Sequence, residues 1–255
     1  MKVIILASNV FRRQRKWVAF WVIGAICACL VALPFILLAV QPGEVSVDEA
    51  AAREFAAAGC GQAAVFGLLL AVGLCQGTAS YEISRSTIHL ILARPVTRRQ
   101  CMAGMFLGAE LSALSVYLAL AAVCWLGMAL SLGRYLAESL AALLVMAVPV
   151  VLITSLVTLL SAWMPGYAAG LTGYAVFLFS LFSKPLERAA AALHPFWGSL
   201  VRGANLFSLR LDRMFELSGG IVNGSGLSWW PLAWELVYAI IVIVLGIWLF
   251  SYRKV

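Results

Sequence analysis

Six long apolar stretches occupy most of this chain, and they limit its possible folds more than any other feature. Hydrophobic residues fill 64% of the 255 positions and charged residues only 11%, with a mean hydropathy of +0.99. A soluble domain is about a quarter charged, and a chain of this size has too little interior to bury so much apolar surface. A bilayer removes the difficulty, because lipid covers apolar helix faces that water would not tolerate.

The stretches predict transmembrane helices, because runs of about 20 apolar residues without strict alternation suit a helix that crosses the bilayer. We therefore predict an all-α, polytopic membrane protein with a single domain over residues 1–255. A polar connection from Gln41 to Phe55 separates the first two spans, and a break at Met164–Gly166 precedes the fifth. The predicted spans are Trp17–Val40, Gly59–Ala79, Met102–Leu130, Leu136–Trp163, Tyr167–Phe182 and Pro231–Phe250.

Two further segments lie outside the spans. Residues 1–16 are predicted to form an amphipathic interfacial helix, because apolar positions alternate with polar ones ahead of a basic cluster. A plain basic flank of the first span explains these residues nearly as well. Residues 184–230 form the longest connection, where aromatic residues predict short helices on or in the outer leaflet.

The distribution of basic residues predicts the orientation. With six spans both termini share one side, and that side holds 11 of the 18 Lys and Arg residues. The positive-inside rule then places both termini and the loop 81–100 in the cytoplasm, and we expect the inner membrane of a bacterium. Orientation accounts for most of the +7 net charge, so nucleic-acid binding is not needed to explain it.

Candidate catalytic or metal-binding groups do not form a recognisable set. Two isolated histidines, His89 and His194, predict no metal site, and no nucleophile–base pair is evident. A GxxxxGK[ST] phosphate-binding loop is absent from the sequence, so we expect neither ATP binding nor enzymatic activity of this chain. Small packing residues are the preferred interpretation of the six cysteines, which include no metal-type pair of CxxC motifs: Cys27, Cys29, Cys60, Cys75, Cys101 and Cys124.

The segment between the second and third spans is short and carries charge. Residues 81–99 read YEISRSTIHLILARPVTRR, with an apolar stripe from Ile88 to Leu92. Pro95 disfavours helix at the preceding residue, so a short amphipathic helix is predicted to end at Arg94. Thr97 is then predicted to cap the third span. An element of this kind can place its apolar face in a groove of a partner protein.

This segment resembles the cytoplasmic loop of type-2 ATP-binding-cassette (ABC) transporter permeases. That family often shows Glu, Gly-Thr, two leucines and Pro-Val-(Ser/Thr)-Arg, followed by Gly-Lys as the third span begins. Ser86 stands where the family commonly has Gly, Gly104 stands at the later Gly, and Met105 replaces the usual Lys. The matching positions are Glu82, Thr87, Leu90, Leu92, Pro95, Val96, Thr97 and Arg98.

The resemblance implies a permease subunit of an exporter. In such proteins this loop and the N-terminal segment contact an ATPase subunit, which is present in two copies and binds ATP and Mg. The resemblance also implies a second permease copy or a paralogue, with no cofactor on this chain. The residues that it assigns to coupling are Glu82, Arg85, Thr87, Leu90, Leu92, Arg94, Pro95, Arg98 and Arg99.

Other functions stay open from the sequence. Glu110 is a candidate for a substrate path, because an ionisable residue within a span is costly and is often functional. Pairing with a basic residue or a position at a dimer interface would also explain it. A stand-alone secondary carrier or a scaffold for another complex is the main alternative to the exporter, and an intramembrane enzyme lacks convergent catalytic groups.

Overall fold

The computed structural model describes residues 2–15, 18–40, 48–84, 96–133, 136–193, 196, 198–199, 201 and 211–252. Within these residues the chain is all-α. Its main helices are α1 (Lys2–Arg15), α2 (Val18–Val40), α3 (Glu49–Cys75), α4 (Thr78–Ser84), α5 (Arg98–Ser131), α6 (Leu136–Val145), α7 (Ala147–Ser161), α8 (Gly166–Leu181), α9 (Ser183–Leu193), α10 (Leu211–Val222) and α11 (Trp229–Tyr252).

Helices α3 and α5 form the centre of the bundle. Helix α5 packs against α1, α2, α3, α7 and α11, and α3 also packs against α7, α8 and α10. Small residues on α3 allow this packing, as is usual where membrane helices approach closely. A Cβ atom on Gly67 would lie 2.5 Å from Tyr117 Cδ2, and one on Gly59 would lie 2.5 Å from Phe35 Cζ. The two aromatic rings therefore occupy the space that the glycines leave.

The outside of the bundle is apolar. Large apolar side chains are exposed on α2, α5, α8 and α11, with Leu130 at 84% and Leu171 at 73% exposure. Five helices are long and apolar enough to cross a membrane, or six if the bent pair α8–α9 counts as one span. These features confirm the all-α class and are those of a multi-pass membrane protein. The orientation in the membrane stays a prediction.

The predicted spans correspond to helices, with one boundary substantially wrong. The second span was predicted to begin at Gly59 after a polar connection that reached Phe55, whereas α3 begins at Glu49. The alanine-rich segment after Asp48 favours helix strongly. Arg53 also forms a 2.8 Å ion pair with Glu49, one turn earlier. Hydropathy gave the apolar core of this helix and missed its polar first turns.

Two prolines explain interruptions of the later helices. Pro149 has no N–H to donate to the carbonyl of Val145, and α6 and α7 are separated there by the single residue Met146. The predicted break at Met164–Gly166 is confirmed, with Pro165 at the N-cap of α8. Helices α8 and α9 then meet at an angle of 70°, so the fifth apolar stretch continues into a sharply turned helix.

Helices α1 and α10 lie towards opposite ends of α3. The end of α1 is hydrogen-bonded to Leu74, near the C-terminal end of α3, and to Thr78, the first residue of α4. At the other end, the Arg53 guanidinium donates to the carbonyl of Asn223, just after α10. Helix α9 is joined to α10 by Lys184, which forms an ion pair with Glu216 and lies 3.6 Å from Asp212.

Candidate functional site

The C-terminal end of α1 is fastened to α4 by an ion pair between Arg13 and Glu82. Arg13 Nη2 also donates to the carbonyl of Thr78 at 3.4 Å. The guanidinium lies over the ring of Tyr81, 4.5 Å from its centroid, a cation–π contact. The side chains of Arg13 and Glu82 are 32% and 16% exposed, so water screens the pair only in part. The N-terminal helix thus holds the first acidic residue of the predicted coupling segment.

Gln14 makes a second connection from α1 to the same region. Its Nε2 donates to the carbonyl of Leu74 and to Thr78 Oγ1, both at 3.1 Å. A carbonyl can only accept, which assigns the donor end of the carboxamide to Leu74. The Gln14 side chain is buried, so these bonds form away from water, where broken ones are costly. The end of α1 is therefore bound to both α3 and α4.

Two glycines on α5 allow α1 to pack against it at short distance. A Cβ atom on Gly104 would lie 2.7 Å from Leu6 Cβ, and one on Gly108 would lie 2.7 Å from Val10 Cβ. On Gly108 it would also lie 2.8 Å from the carbonyl oxygen of Ala7. Gly104, which matches the permease pattern, thus has a packing role, because its missing side chain allows α1 to approach α5 closely.

Met105 lies where the resembling permeases usually have lysine. Its side chain is 2% exposed and packs in a small core with Cys101, Met102, Phe106 and Phe250. A lysine there would bury an ammonium group among apolar side chains, at high cost. Methionine in place of the usual lysine at position 105 therefore suits the apolar side chains that surround it in this chain.

The predicted cap of the third span is confirmed. The Thr97 side chain accepts from the backbone N–H of Gln100 at 3.3 Å, and the Gln100 side chain accepts from the backbone N–H of Thr97 at 3.2 Å. This reciprocal pair is a capping box. Arg98 and Arg99 then form the first turn of α5, with Arg99 exposed.

The remaining predicted coupling residues lie outside the described residues. They are Arg85, Thr87, Leu90, Leu92, Arg94 and Pro95. Of the nine predicted positions, the structure places Glu82 on α4 and Arg98 and Arg99 on α5, on either side of this segment.

Glu110 lies inside the bundle, between α5 and α7. Ser155 Oγ lies 2.8 Å from both Glu110 Oε1 and the carbonyl oxygen of Val151, and its single proton can be donated to either acceptor. Within the described residues Glu110 Oε2 is buried and has no hydrogen-bond partner, and no basic side chain forms a salt bridge with this carboxyl group. The sequence offered a substrate path, a basic partner or a dimer interface for Glu110. Within the described residues its hydrogen-bond partner is the Ser155 hydroxyl on a neighbouring helix, and the substrate path and the dimer interface stay predictions.

A cavity of about 690 Å³ adjoins the Arg13–Glu82 pair. It lies between the C-terminal end of α1, the turn that joins α3 to α4, and the first residues of α8; we name it the α1/α8 cavity. Its walls are mostly apolar. The described residues that line it are Arg13, Gln14, Gly73, Leu74, Gln76, Gly77, Thr78, Ser80, Tyr81, Pro165, Gly166 and Tyr167.

The described part of the chain offers no metal-binding cluster. No group of three His, Cys, Asp or Glu side chains there could hold a metal ion. All six cysteines are free, and five of them are buried. Cys60 is fully buried, with its thiol 3.8 Å from the carbonyl oxygen of Ser139. This agrees with the interpretation of the cysteines as packing residues.

No family model matches the chain, and no curated protein matches it.

Sequence reasoning missed the residues that connect α1 to the rest of the site. Arg13 was counted only as one of a cluster of basic residues, and neither Gln14 nor Gln76 was considered. The polar character of two glutamines near the ends of apolar stretches was a usable signal, because an uncharged amide beside a membrane span needs a hydrogen-bond partner. No feature of the sequence near Arg13 or Glu82 indicates that these residues, 69 positions apart, would pair.

Proposed function

We propose that this chain is the permease subunit of a type-2 ABC exporter. A separate ATPase would hydrolyse ATP and work the segment between α4 and α5. One observation carries the proposal: Arg13 on α1 forms an ion pair with Glu82, the acidic residue that opens the predicted coupling segment. The two elements that contact the ATPase in the resembling permeases are therefore joined to each other in this chain.

In the proposed mechanism, the Arg13–Glu82 ion pair transmits movement of the coupling segment to α1. Helix α1 is packed on α5 through Gly104 and Gly108, and its end is bonded to α3 and α4. A push on the segment after Glu82 would therefore displace α1 together with α3 and α5. Two-fold pairing with a second permease would let two such units rock against each other. The capping box at Thr97 gives the segment a defined end on α5.

The proposal is tested by purifying the tagged protein from its native membrane. We expect a polypeptide with a phosphate-binding loop to co-purify, with ATP hydrolysis that vanadate inhibits. Glu82→Lys places two cations together and should reduce the recovered ATPase at least fivefold. Combining Arg13→Glu with Glu82→Arg restores opposite charges and should recover more than half of the ATPase.

The matched control is Glu49→Lys. This carboxylate also pairs with an arginine, but it is exposed and lies at the other end of α3, so ATPase recovery should stay unchanged. Recovery of a native complex that contains no ATPase would reject the exporter proposal, provided the purified permease is monodisperse.

A stand-alone carrier is the second candidate, favoured by Glu110. This carboxyl group is bonded to Ser155, and no described basic side chain neutralises it. Ionisable groups of this kind mark ion and proton paths in carriers. A carrier would be isolated without an ATPase, and Glu110→Gln would abolish its transport while leaving its thermal stability near that of the wild type.

A further inference from the structure

The α1/α8 cavity has dimensions that suit a small ligand. Its volume of about 690 Å³ lies within the roughly 300–1,000 Å³ typical of ligand sites. One wall, Gly73–Tyr81, belongs to the continuous segment α3–α4, which is long and apolar enough to cross a membrane. The opposite wall is the start of α8, which is long enough to cross only together with the bent α9. A ligand could therefore reach it from the bilayer.

Glycines on α8 shape the cavity and position Gln76. A Cβ atom on Gly170 would collide with the Gln76 carboxamide. One on Gly166 would lie 3.0 Å from Ser80 Oγ and 3.1 Å from the carbonyl oxygen of Gln76. Helix α8 thus approaches the α3–α4 turn closely only because these side chains are absent.

Several polar groups of the cavity have unused hydrogen-bonding capacity, and one of them is the buried Oε1 of Gln14, which has no partner among the described residues. Within the described residues, neither the Gln76 carboxamide nor the Ser80 hydroxyl makes a side-chain hydrogen bond, although both residues are half-buried. A carboxamide can donate and accept, and so can a hydroxyl. Polar groups among mostly apolar walls are stabilised by a ligand that hydrogen-bonds to them.

The charge of the described lining favours an uncharged ligand. Arg13 is its only ionised side chain, and Glu82 already pairs with that guanidinium. An anionic head group would have to compete with a carboxylate held in the fold. A cationic one would find no acidic group among the described lining residues.

We propose that the α1/α8 cavity binds a bilayer amphiphile with an uncharged, hydroxyl-bearing head. The head hydrogen-bonds to Gln76 and Ser80, and the acyl chain lies along the apolar wall that includes Leu74 and Pro165. This proposal does not depend on the exporter assignment, because it rests on the cavity alone.

The test uses the full chain in phosphatidylcholine nanodiscs with a monoacylglycerol that carries a photoreactive diazirine near its head. We expect cross-links on peptides that contain Tyr81 and Tyr167. Gly77→Leu should reduce labelling at least fivefold, because Gly77 lines the cavity, a Cβ atom there meets nothing within 4 Å, and the longer side chain takes up ligand space. Gln76→Leu keeps the bulk and removes the hydrogen bonds, so it should also reduce labelling.

The matched control is Gly24→Leu. Gly24 on α2 also has open space at its Cβ position, and it lines a different groove, against α5. Labelling should stay at the wild-type level in this variant, and all variants should share one melting temperature within about 3 °C.

Three results would overturn the proposal. Labelling that is equal in Gly77→Leu and the wild type would place the amphiphile elsewhere. Stronger labelling by a photoreactive lysophosphatidic acid would reject the uncharged head. Equal competition by free glycerol and by unlabelled monoacylglycerol would reject an amphiphile as the ligand.

Discussion

Arg13 and Gln14 show how two adjacent side chains can decide the place of a whole helix. Arg13 pairs with Glu82 and lies over Tyr81, while Gln14 is bonded to Leu74 and Thr78. The two side chains thus tie one end of α1 to two other helices. On α5, the absent side chains of Gly104 and Gly108 make the close contact possible.

Adding a methyl group at Gly108 should weaken the packing of α1 against α5. In Gly108→Ala the new Cβ atom would lie 2.8 Å from the backbone oxygen of Ala7, and backbone cannot move aside as a flexible side chain can. Overpacking of this kind costs about 1–3 kcal/mol, so the melting temperature of the purified protein should fall. Gly24→Ala, where the new atom meets nothing within 4 Å, should leave it unchanged or raise it slightly, because alanine favours helix more than glycine does. Equal melting temperatures would show that α1 is not packed there as described.

The beginning of α5 is defined by a capping box. The capping box of Thr97 and Gln100 satisfies two backbone N–H groups that the first turn of a helix leaves without partners. This fixes where α5 starts, although the preceding residues 85–95 are outside the described part. The start of α5 is also where the permease pattern ends, so the cap sets the end of the predicted coupling segment.

Removal of the cap should fray the first turn of α5. Thr97→Ala should destabilise this turn by about 1 kcal/mol, which corresponds to roughly fivefold faster hydrogen exchange. Exchange of the Gln100 amide, which donates to Thr97 Oγ1, followed by mass spectrometry, measures the effect. Thr97→Ser keeps the hydroxyl group and should exchange like the wild type. Fast exchange in the wild type itself would contradict the capping box.

For the whole molecule, the opposite placement of α1 and α10 along α3 agrees with the topology expected from the basic residues. Sequence predicted that residues 1–16 and 184–230 lie on opposite sides of the membrane. The contacts of α1 with Leu74 and of Asn223 with Arg53 place these segments towards different ends of one long helix. Which end faces the cytoplasm is the remaining prediction.

Cysteine labelling of spheroplasts tests that orientation. Arg99→Cys and Ser228→Cys place thiols at exposed positions towards the two ends of the bundle. Cys29→Ala removes the one exposed native cysteine from the background. A membrane-impermeant maleimide should label Ser228→Cys directly and Arg99→Cys only after permeabilisation. The reverse pattern would place the predicted coupling segment outside the cell and remove the basis of the exporter proposal.

Local features of the sequence determined the helices and their ends. Hydropathy located the apolar helices, Pro165 marked the break before α8, and Thr97 marked the start of α5. Such features act over a few residues, so they are visible without a fold. The start of α3 was missed because propensity and the Glu49–Arg53 pair extend that helix past its apolar part.

Only the tertiary structure decided which distant residues meet. Nothing in the sequence selects Glu82 for Arg13, or shows that Gly170 makes room for Gln76. These contacts join residues 69 and 94 positions apart along the chain. They depend on how the helices pack, and packing is set by the combined shape of many side chains. The candidate site is therefore a property of the fold, although the helices that build it can be predicted from the sequence.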